Sequence, residues 1–267
     1  MTTRRSPTVR RSGLPAGRED SHERLRKLRK LWRLSGTPMF RRALRVRVAA
    51  AVEHEDVPFQ HDFKSVIDVG AHHGQFALFA RHRFPRAQLF CFEPLSEAQR
   101  IFRRVFPESG PIVLFDFALG SVTAADYAMH VSMADDSSSL LPITSRYTEA
   151  FPGTEEAAQV SVPVQRLDDA LAGSAPARPC LLKIDVQGYE LEVLRGADRV
   201  LRSVDEVFLE CSFVELYTGQ ALAAEIIAHL WSKGFKLTGV FGLKRDLAGR
   251  CLQADALFER SSSVAGD

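Results

Sequence analysis

Short apolar segments alternate with amphipathic segments through the first part of residues 65–258. The apolar segments have the length and composition of strands, and the segments between them carry apolar residues at helical spacing. In chain order these segments are 65–69, 75–83, 88–92, 96–106 and 112–117. Strand–helix–strand units of this length build parallel sheets with right-handed crossover connections. The alternation therefore predicts an α/β fold.

The same alternation returns after a less regular stretch at 119–163. Within that stretch, 126–133 is compatible with an extra strand and 134–144 with a polar loop, and a long connection of this kind tends to be functional. In this second part the predicted strands are 181–185, 206–211, 235–241 and 252–258, and the predicted helices are 190–202 and 221–232. The glycine-rich connection between the last two strands suits a terminal hairpin.

Composition limits the class of protein to which this chain can belong. Of its 267 residues, 45% are hydrophobic and 25% are charged, which is average for globular chains and excludes a fibrous repeat. The longest stretch without a charged residue is the 12 residues Val69–Ala80. This is well short of the ~20 residues that span a bilayer, so no transmembrane helix is expected. The 4 cysteines have no paired spacing, which favours buried thiols over a zinc or disulfide framework.

A strongly basic segment opens the chain. Residues 1–50 hold 15 of the 35 Lys and Arg but only 3 of the 33 Asp and Glu, so residues 51–267 are net acidic. We interpret 1–50 as an arm and 51–267 as one domain. Residues 1–20 are too polar to fold, whereas Ser21–Leu34 has the pattern of a basic amphipathic helix. That helix either packs its leucines on the domain, lies on an anionic membrane surface or binds nucleic acid. We expect a cytoplasmic location, with peripheral contact at the inner face of the membrane as the alternative.

The first predicted strand ends in the run from Asp68 to Gly74, and a helix follows at once. Gly70 lets the backbone turn and approach a ligand, and Gly74 relieves crowding at the start of the helix. A dinucleotide fingerprint has G-x-G-x-x-G spacing, whereas this turn has G-x-x-x-G. Glu93 closes the second strand, where a carboxylate can accept both hydroxyls of a ribose. Together these groups indicate a nucleoside bearing an amino acid, such as S-adenosylmethionine, although Asp68 alone is also compatible with a turn acid and Glu93 with a helix cap.

A second group of polar residues follows the predicted strand 181–185. Strand alternation places Lys183 and Asp185 on one face, at the carboxyl end of an interior strand, where open α/β sheets bind ligands. Asp185 is interpreted as a base, a hydrogen-bond acceptor or a metal ligand, and the alternative is an ion pair of Lys183 with Asp185 without chemistry. Glu210, at the end of the next strand, is expected beside Asp185, where two carboxylates raise each other's pKa. A capped strand end is the alternative for Glu210.

From about residue 65 to 258 the chain resembles the FkbM family of S-adenosylmethionine-dependent methyltransferases. The KIDVQGYE block followed by LRGA is the most distinctive part of this resemblance. The matching segments are IDVGAHHGQF at 67–76, FEP at 92–94, ALG at 118–120, SSSL at 137–140, LDD at 167–169, KIDVQGYELEVLRGA at 183–197, FLECSF at 208–213 and DALF at 255–258. Residues 1–50 have no counterpart in it.

The resemblance implies a Rossmann-like fold whose seven-stranded, mostly parallel sheet has helices on both faces and an antiparallel last strand. It also implies O-methylation of a hydroxyl on a sugar, glycolipid, polysaccharide or natural product. His72 stands where the family often has Asn. Carried over residue by residue, the cofactor-binding set is Asp68, Gly70, Ala71, His72, Gly74, Glu93, Asp116 and Phe117, with the last two at the adenine.

Methyl transfer to a sugar hydroxyl needs the oxygen in line with the sulfonium methyl and a base for the hydroxyl proton. We expect Asp185 to be that base, with Glu210 second and His72 or His73 third, and Lys183 to complete the catalytic set. A divalent ion would be held by Asp185 and Glu210. It is not favoured, because no histidine pattern supports it.

The polar loop that follows the third strand is the expected cover of the acceptor. Its Asp135, Asp136 and Ser137–Ser139 carry groups that bond sugar hydroxyls, and a solvated linker is the alternative. We assign Ser138, Ser139 and Gln187 to substrate contact. Tyr189 and Tyr217 either stack on a sugar face or pack in the core.

Other functions fit the sequence less well. A nucleic-acid methyltransferase would use the basic arm on phosphates, but the body is acidic and has no Asn-Pro-Pro-Tyr run for an exocyclic amine. A non-enzymatic scaffold or sensor is disfavoured by the intact acidic and basic groups described above. A nicotinamide oxidoreductase is disfavoured by the glycine spacing. The expected partner is therefore a carbohydrate-containing acceptor.

Overall fold

Ten strands and seven α-helices succeed one another in the computed structural model, which describes residues 37–107, 110–246 and 248–261. Three 3-10 turns, Val52–Asp56, Asp135–Ser137 and Val200–Ser203, lie among them. The strands are β1 (Ser65–Val69), β2 (Gln88–Phe92), β3 (Ile112–Phe115), β4 (Ala118–Leu119), β5 (Ala124–Ser132), β6 (Glu156–Gln165), β7 (Cys180–Ile184), β8 (Glu206–Ser212), β9 (Phe235–Arg245) and β10 (Cys251–Arg260). The helices are α1 (Pro38–Arg45), α2 (Gln75–Arg83), α3 (Ser96–Val105), α4 (Ser145–Ala150), α5 (Leu167–Ala170), α6 (Glu190–Arg195) and α7 (Ala223–Ser232).

Seven strands form the main sheet, in the order β3-β2-β1-β7-β8-β10-β9. All neighbours pair in parallel except β10, which is antiparallel to both β8 and β9. The predicted fold class is thus confirmed, including the antiparallel last strand. The chain leaves β1 towards β2 on one side and returns to β7 on the other, so the strand order switches direction at β1. Ligands of open α/β sheets bind beside such a point.

Successive residues of the strands point to opposite faces of the sheet and pack in two separate hydrophobic cores. Val66 of β1 packs with Phe76 and Phe79 of α2, whereas Ile67 belongs to the cluster that holds Leu194 of α6. This alternation is the period-2 pattern of strands buried on both faces, and it explains why the strands read as continuous apolar runs. Helices therefore cover both faces of the sheet.

A second, three-stranded sheet lies between β3 and β7 in the chain, in the order β4-β6-β5. The predicted strand 126–133 corresponds to β5, which the structure places at Ala124–Ser132. The strand β6 was not predicted. Its first residues are exposed, and only Val162 and Val164 are buried, so most of β6 shows no apolar alternation. We call residues 118–165 the insert.

The helix predicted at 190–202 ends earlier, at Arg195. The next residue, Gly196, packs directly on the insert, because a Cβ there would lie 2.0 Å from the carbonyl oxygen of Gly120. The chain then resumes as the 3-10 turn Val200–Ser203, whose start is capped by the carboxylate of Asp168. Close packing at Gly196 overrides the helical pattern of the sequence.

The end of the predicted arm packs on the domain. Phe40 and Ala43 of α1 are buried with Val48, Leu78 and Val105. Residues 37–50 are therefore in contact with the rest of the structure, and the predicted disordered segment 1–20 and helix 21–34 lie outside the described residues. In the ranges that the structure covers, no helix has the length and apolar character to cross a bilayer.

Candidate active site

A cleft of about 270 Å³ opens at the carboxyl ends of β1, β2 and β7. The turn after β1, the end of β2 and the loop after β7 form three of its walls. The insert supplies a fourth wall, and the segment just before β1 lines the cleft as well. The lining residues are Met129, Asp136, Ser138, Ser139 and Leu140 of the insert and Ala51, Glu53 and His54 of that segment. The cleft lies where the strand order switches direction, as expected for a ligand site in this architecture.

The turn after β1 can be built only with glycine at its first position. Gly70 has φ +76°, and a Cβ there would lie 1.9 Å from the carbonyl oxygen of Asp185. Its amide and that of Ala71 donate to the carbonyl of Phe92, which fixes the turn to β2. His72 also has a positive φ, +47°, a conformation that Asn and His adopt more readily than most residues. This explains why His is acceptable where the family often has Asn.

Glu93 is held at the end of β2 by two backbone amides. Its Oε2 accepts from the amide of His72 at 2.9 Å, and its Oε1 accepts from the amide of Leu95 at 2.8 Å. Burial raises the pKa of Glu93 to about 7, although both amides act in the opposite direction. Each carboxylate oxygen keeps a second lone pair, so the pair can still accept two hydroxyls. Glu93 therefore has the position and the free acceptor capacity expected of a ribose-binding acid.

The end of the cleft beside β2 and the insert is apolar. Phe117 lines it and packs against the ring of Phe92, with 5.8 Å between centroids. Met129 and Leu140 of the insert also line the cleft. Asp116 is exposed and does not line the cleft, so the expected adenine contact is supported by geometry for Phe117 and not for Asp116.

Asp68 and Lys183 are opposite each other on β1 and β7. Lys183 Nζ lies 3.1 Å from Asp68 Oδ1, donates to the carbonyl of Gly70 at 3.0 Å, and is 4.0 Å from Asp185 Oδ2. Burial opposes the charge of Lys183, but Asp68 and Asp185 outweigh it, so the pKa of Lys183 is raised. Asp68 is fully buried and does not line the cleft. A direct cofactor contact of Asp68 is thus replaced by an ion pair that supports the turn at Gly70.

Asp185 follows β7 directly and lines the cleft with a side chain that is 43% exposed. Gln187 Nε2 donates to Asp185 Oδ1 at 2.8 Å and reaches Glu210 Oε2 at 3.5 Å. Gln187 thereby bridges the two carboxylates that the sequence placed side by side. The nearest carboxylate to Lys183 is Asp68, so the ion pair considered for Lys183 forms with a different partner.

Glu210 lies behind Asp185 and does not line the cleft. Lys244 Nζ lies 2.9 Å from its Oε1, and Gln253 Nε2 donates to its Oε2 at 2.7 Å. Burial and then the charge of Asp185 raise the pKa of Glu210. Asp255, its neighbour on β10, has a pKa raised to about 7, first by burial and then by Glu210. Of the two carboxylates that Gln187 bridges, Asp185 is therefore the one at the cleft wall.

The polar loop 134–144 is held in place by hydrogen bonds of its own serine hydroxyls. Ser138 and Ser139 line the cleft. Ser139 Oγ donates to the backbone carbonyl of Gln187 at 2.7 Å and accepts from the amide of Leu141 at 3.0 Å. Ser138 Oγ accepts from the amide of Ser132. The hydroxyl proton of Ser139 is thus used within the protein, which leaves its oxygen only as an acceptor for a ligand, whereas Ser138 has no such donation and can also offer its proton.

Two features of the site had no signal in the sequence. One is the segment with Ala51, Glu53 and His54, which line the cleft but precede the first strand and have no periodic pattern. Tyr217 is fully buried, so of the two readings of this residue the structure supports core packing. Its hydroxyl nevertheless lies 3.0 Å from Gln187 Oε1, and this contact is the second feature. Among the described residues, no three His, Cys, Asp or Glu side chains converge as a metal site.

The sequence profile of a family described as "Methyltransferase FkbM domain" matches residues 68–237. Methyltransferase sdnD of Sordaria araneosa is 27% identical over 213 residues, which cover 65% of this chain and 74% of that protein. The 2-O-methyltransferase NoeI of Sinorhizobium fredii is 28% identical over 58% of this chain and 66% of its own length. Hexuronic acid methyltransferase AglP of Haloferax volcanii is 30% identical over 54% of each chain. These matches thus leave between a quarter and a half of each relative uncovered.

Proposed function

This chain belongs to the FkbM family of methyltransferases and uses S-adenosylmethionine, and we propose that its acceptor is a hydroxyl of a sugar, free or within a glycolipid, polysaccharide or natural product. The observation that carries the proposal is the position of Asp185. Its partly exposed carboxylate lies at the wall of the cleft that also holds Glu93, so one cavity offers a cofactor-binding acid and a base.

The chemistry of the groups that line the cleft suits the cofactor. Glu93 has acceptor capacity for two ribose hydroxyls, Phe117 offers an aromatic ring, and Gly70 leaves the turn without a side chain. S-adenosylmethionine supplies a methyl group already activated by a sulfonium. Lys183 maintains the turn through its hydrogen bond to the carbonyl of Gly70. The protein therefore has to position the acceptor and remove its proton.

Asp185 is the proposed base. Its Oδ1 accepts from Gln187, which leaves Oδ2 to take the proton of the acceptor hydroxyl. Lys183, 4.0 Å from Oδ2, stabilises the carboxylate before the transfer. A sugar hydroxyl loses its proton only as the new bond forms, so a carboxylate within hydrogen-bond reach is sufficient as the general base.

The acceptor wall has the mixed character of a carbohydrate site. Asp136 and Ser138 provide polar groups, and Met129 and Leu140 provide an apolar surface for the C–H face of a ring. The name of one relative states methyl transfer to an oxygen at position 2, and the name of another states a hexuronic acid, which is a carbohydrate. These names describe those proteins, and for this chain they support a carbohydrate acceptor without specifying the sugar.

Label transfer tests this acceptor class. The purified chain is incubated with methyl-tritiated S-adenosylmethionine and, separately, methyl glucoside, methyl glucuronide, cell-envelope polysaccharide or total RNA. We expect label in at least one carbohydrate and none in RNA. Label that survives mild alkali marks an ether on a hydroxyl, whereas an ester on a carboxylate is released. Label in RNA alone, alkali-labile label alone, or no carbohydrate label would contradict the proposal.

A further inference from the structure

The side-chain amide of Gln187 connects the cleft to a buried tyrosine. On one side its Nε2 donates to Asp185 and reaches Glu210, and on the other its Oε1 accepts from the hydroxyl of Tyr217 at 3.0 Å. Tyr217 is fully buried and packs against the ring of Tyr147, with 4.9 Å between centroids. No direct contact of Tyr217 with the cleft is needed for it to influence Asp185.

The charges around Gln187 permit one orientation of its amide. If the amide were reversed, Oε1 would face the carboxylates of Asp185 and Glu210, with no proton between them. With Nε2 on that side, Oε1 is left without a donor unless Tyr217 supplies one. The hydroxyl of Tyr217 has one proton for two acceptors, Gln187 Oε1 and the carbonyl of Ser137, both at 3.0 Å. The carboxylates therefore set the direction of the amide, and the tyrosine hydroxyl, by donating to Oε1, holds its position.

The backbone of Gln187 is fixed as firmly as its side chain. Its φ is +55°, a left-handed conformation that a residue with a Cβ adopts at a cost of roughly 1–2 kcal/mol. The donation from Ser139 Oγ to its carbonyl, at 2.7 Å, holds this conformation from the insert. Strained backbone of this kind persists where the surroundings over-determine it, and it clusters at functional sites.

We propose that Gln187, held by the hydroxyl of Tyr217, is the positioning residue that aims the carboxylate of Asp185 into the cleft and separates it from Glu210. This inference rests on the proposed function, because it assumes that Asp185 is the base. Gln187 donates to Oδ1 and so presents Oδ2 to the acceptor. Without the amide, two carboxylates would face each other across the gap, and Asp185 would rotate away from the reacting hydroxyl.

Kinetics of Tyr217→Phe test the inference, because this variant keeps the ring and removes only the hydroxyl. We expect kcat to fall roughly ten- to hundredfold, as for a misplaced catalytic group, while KM for the labelled carbohydrate and Kd for S-adenosylmethionine stay unchanged. Tyr147→Phe is the matched control. Its hydroxyl is also buried, donates to Ser137 Oγ and is in hydrogen-bond contact with the hydroxyl of Tyr217, but it has no hydrogen bond to Gln187, so its kcat should stay much closer to wild type than that of Tyr217→Phe.

A double-variant cycle separates positioning from general packing. Since Tyr217 acts through Gln187, Tyr217→Phe should lower kcat no further in a Gln187→Ala background. Additive losses, or equal losses in Tyr217→Phe and Tyr147→Phe, would overturn the inference. If Tyr217→Phe keeps wild-type kcat while Asp185→Asn is inactive, the inference about Gln187 fails and the proposed function stands. If Asp185→Asn keeps full turnover, Asp185 is not the base, and both the inference and the proposed mechanism fail.

An NMR measurement tests the contact without any acceptor. The side-chain amide protons of Gln187 are assigned by their loss in Gln187→Ala. They should shift in Tyr217→Phe, which removes the donor to Oε1, and in Asp185→Asn, which replaces the charged acceptor of Nε2 by a neutral one, and should stay in place in Tyr147→Phe. Unchanged amide signals in Tyr217→Phe would show that the tyrosine does not hold the amide and would overturn the inference.

Discussion

Asp68 and Lys183 face each other across β1 and β7 and form a buried ion pair, with 3.1 Å between Oδ1 and Nζ. The same ammonium donates to the carbonyl of Gly70. The sequence motif around Asp68 therefore contributes to the site through the backbone turn that Lys183 supports. Because both charges are buried, removal of one partner alone should lower the stability of the fold strongly, since it leaves the other charge without a counter-ion.

Lys183→Met should destabilise the fold by about 3–5 kcal/mol, because it leaves the carboxylate of Asp68 buried without its counter-ion. The measurement is urea unfolding at pH 7. Lys233→Met is the control, since Lys233 pairs with Asp198 at 2.7 Å on the surface and an exposed pair contributes about 1 kcal/mol or less. A loss as small in Lys183→Met as in Lys233→Met would contradict a structural role for the buried pair.

Gly70→Ala should be among the most damaging small substitutions in the chain. The added Cβ meets the carbonyl oxygen of Asp185 at 1.9 Å in a backbone with φ +76°, so we expect a loss of roughly 3 kcal/mol or more together with loss of cofactor binding. Gly153→Ala separates the steric clash of the added Cβ from the cost of the positive φ. Its φ is also positive, +91°, but nothing lies within 4 Å of the added Cβ, so only the conformational cost of about 1 kcal/mol remains. Equal losses in thermal or urea unfolding would contradict the proposed close approach.

Cofactor affinity should increase with pH up to about 7. In the folded protein the pKa of Glu93 is about 7, raised by burial, and hydroxyl donors favour its ionised form. Below pH 7 binding must first remove a proton, so affinity should fall by up to about tenfold per pH unit. Calorimetry with S-adenosylmethionine at pH 5.5, 6.5 and 8 measures this dependence.

Glu93→Gln is the control for this pH dependence, because it cannot ionise. Its affinity should be weak and nearly constant over the same range, and a slope equal to that of the wild type would assign the titration to another group. The same raised pKa has a consequence for the free protein. The folded state retains a proton that the unfolded chain has released, so the contribution of Glu93 to stability falls as pH rises from about 4.5 to about 7.

The local pattern was sufficient to predict the main sheet. The strands β1 and β2 and the helix α2 have the predicted bounds because their apolar runs are short, regular and closed by glycine or charged residues. The ends of other elements depend on contacts between distant segments. Gly196 ends α6 because it meets Gly120 in the insert, and no feature near Gly196 in the sequence carries that information.

The sequence located the polar residues at the strand ends, but it did not indicate which side chains they contact. Asp185 and Glu93 follow strands whose ends the pattern locates, and both side chains line the cleft. The roles of Asp68 and Glu210 depend on side chains from other strands, Lys183 for the former and Lys244 and Gln253 for the latter. These partners lie on other strands, far away in the sequence, so a local pattern does not predict the pairings.

The turnover of Asp185→Asn tests the central claim most directly. The substitution keeps the size of the side chain and removes the basic carboxylate, so Kd for S-adenosylmethionine should stay within about twofold of wild type while methyl transfer to the labelled carbohydrate falls by roughly 10²–10⁴-fold. Glu210→Gln, measured beside it, should retain more activity, because its carboxylate lies behind the cleft wall. Wild-type turnover in Asp185→Asn would contradict the account.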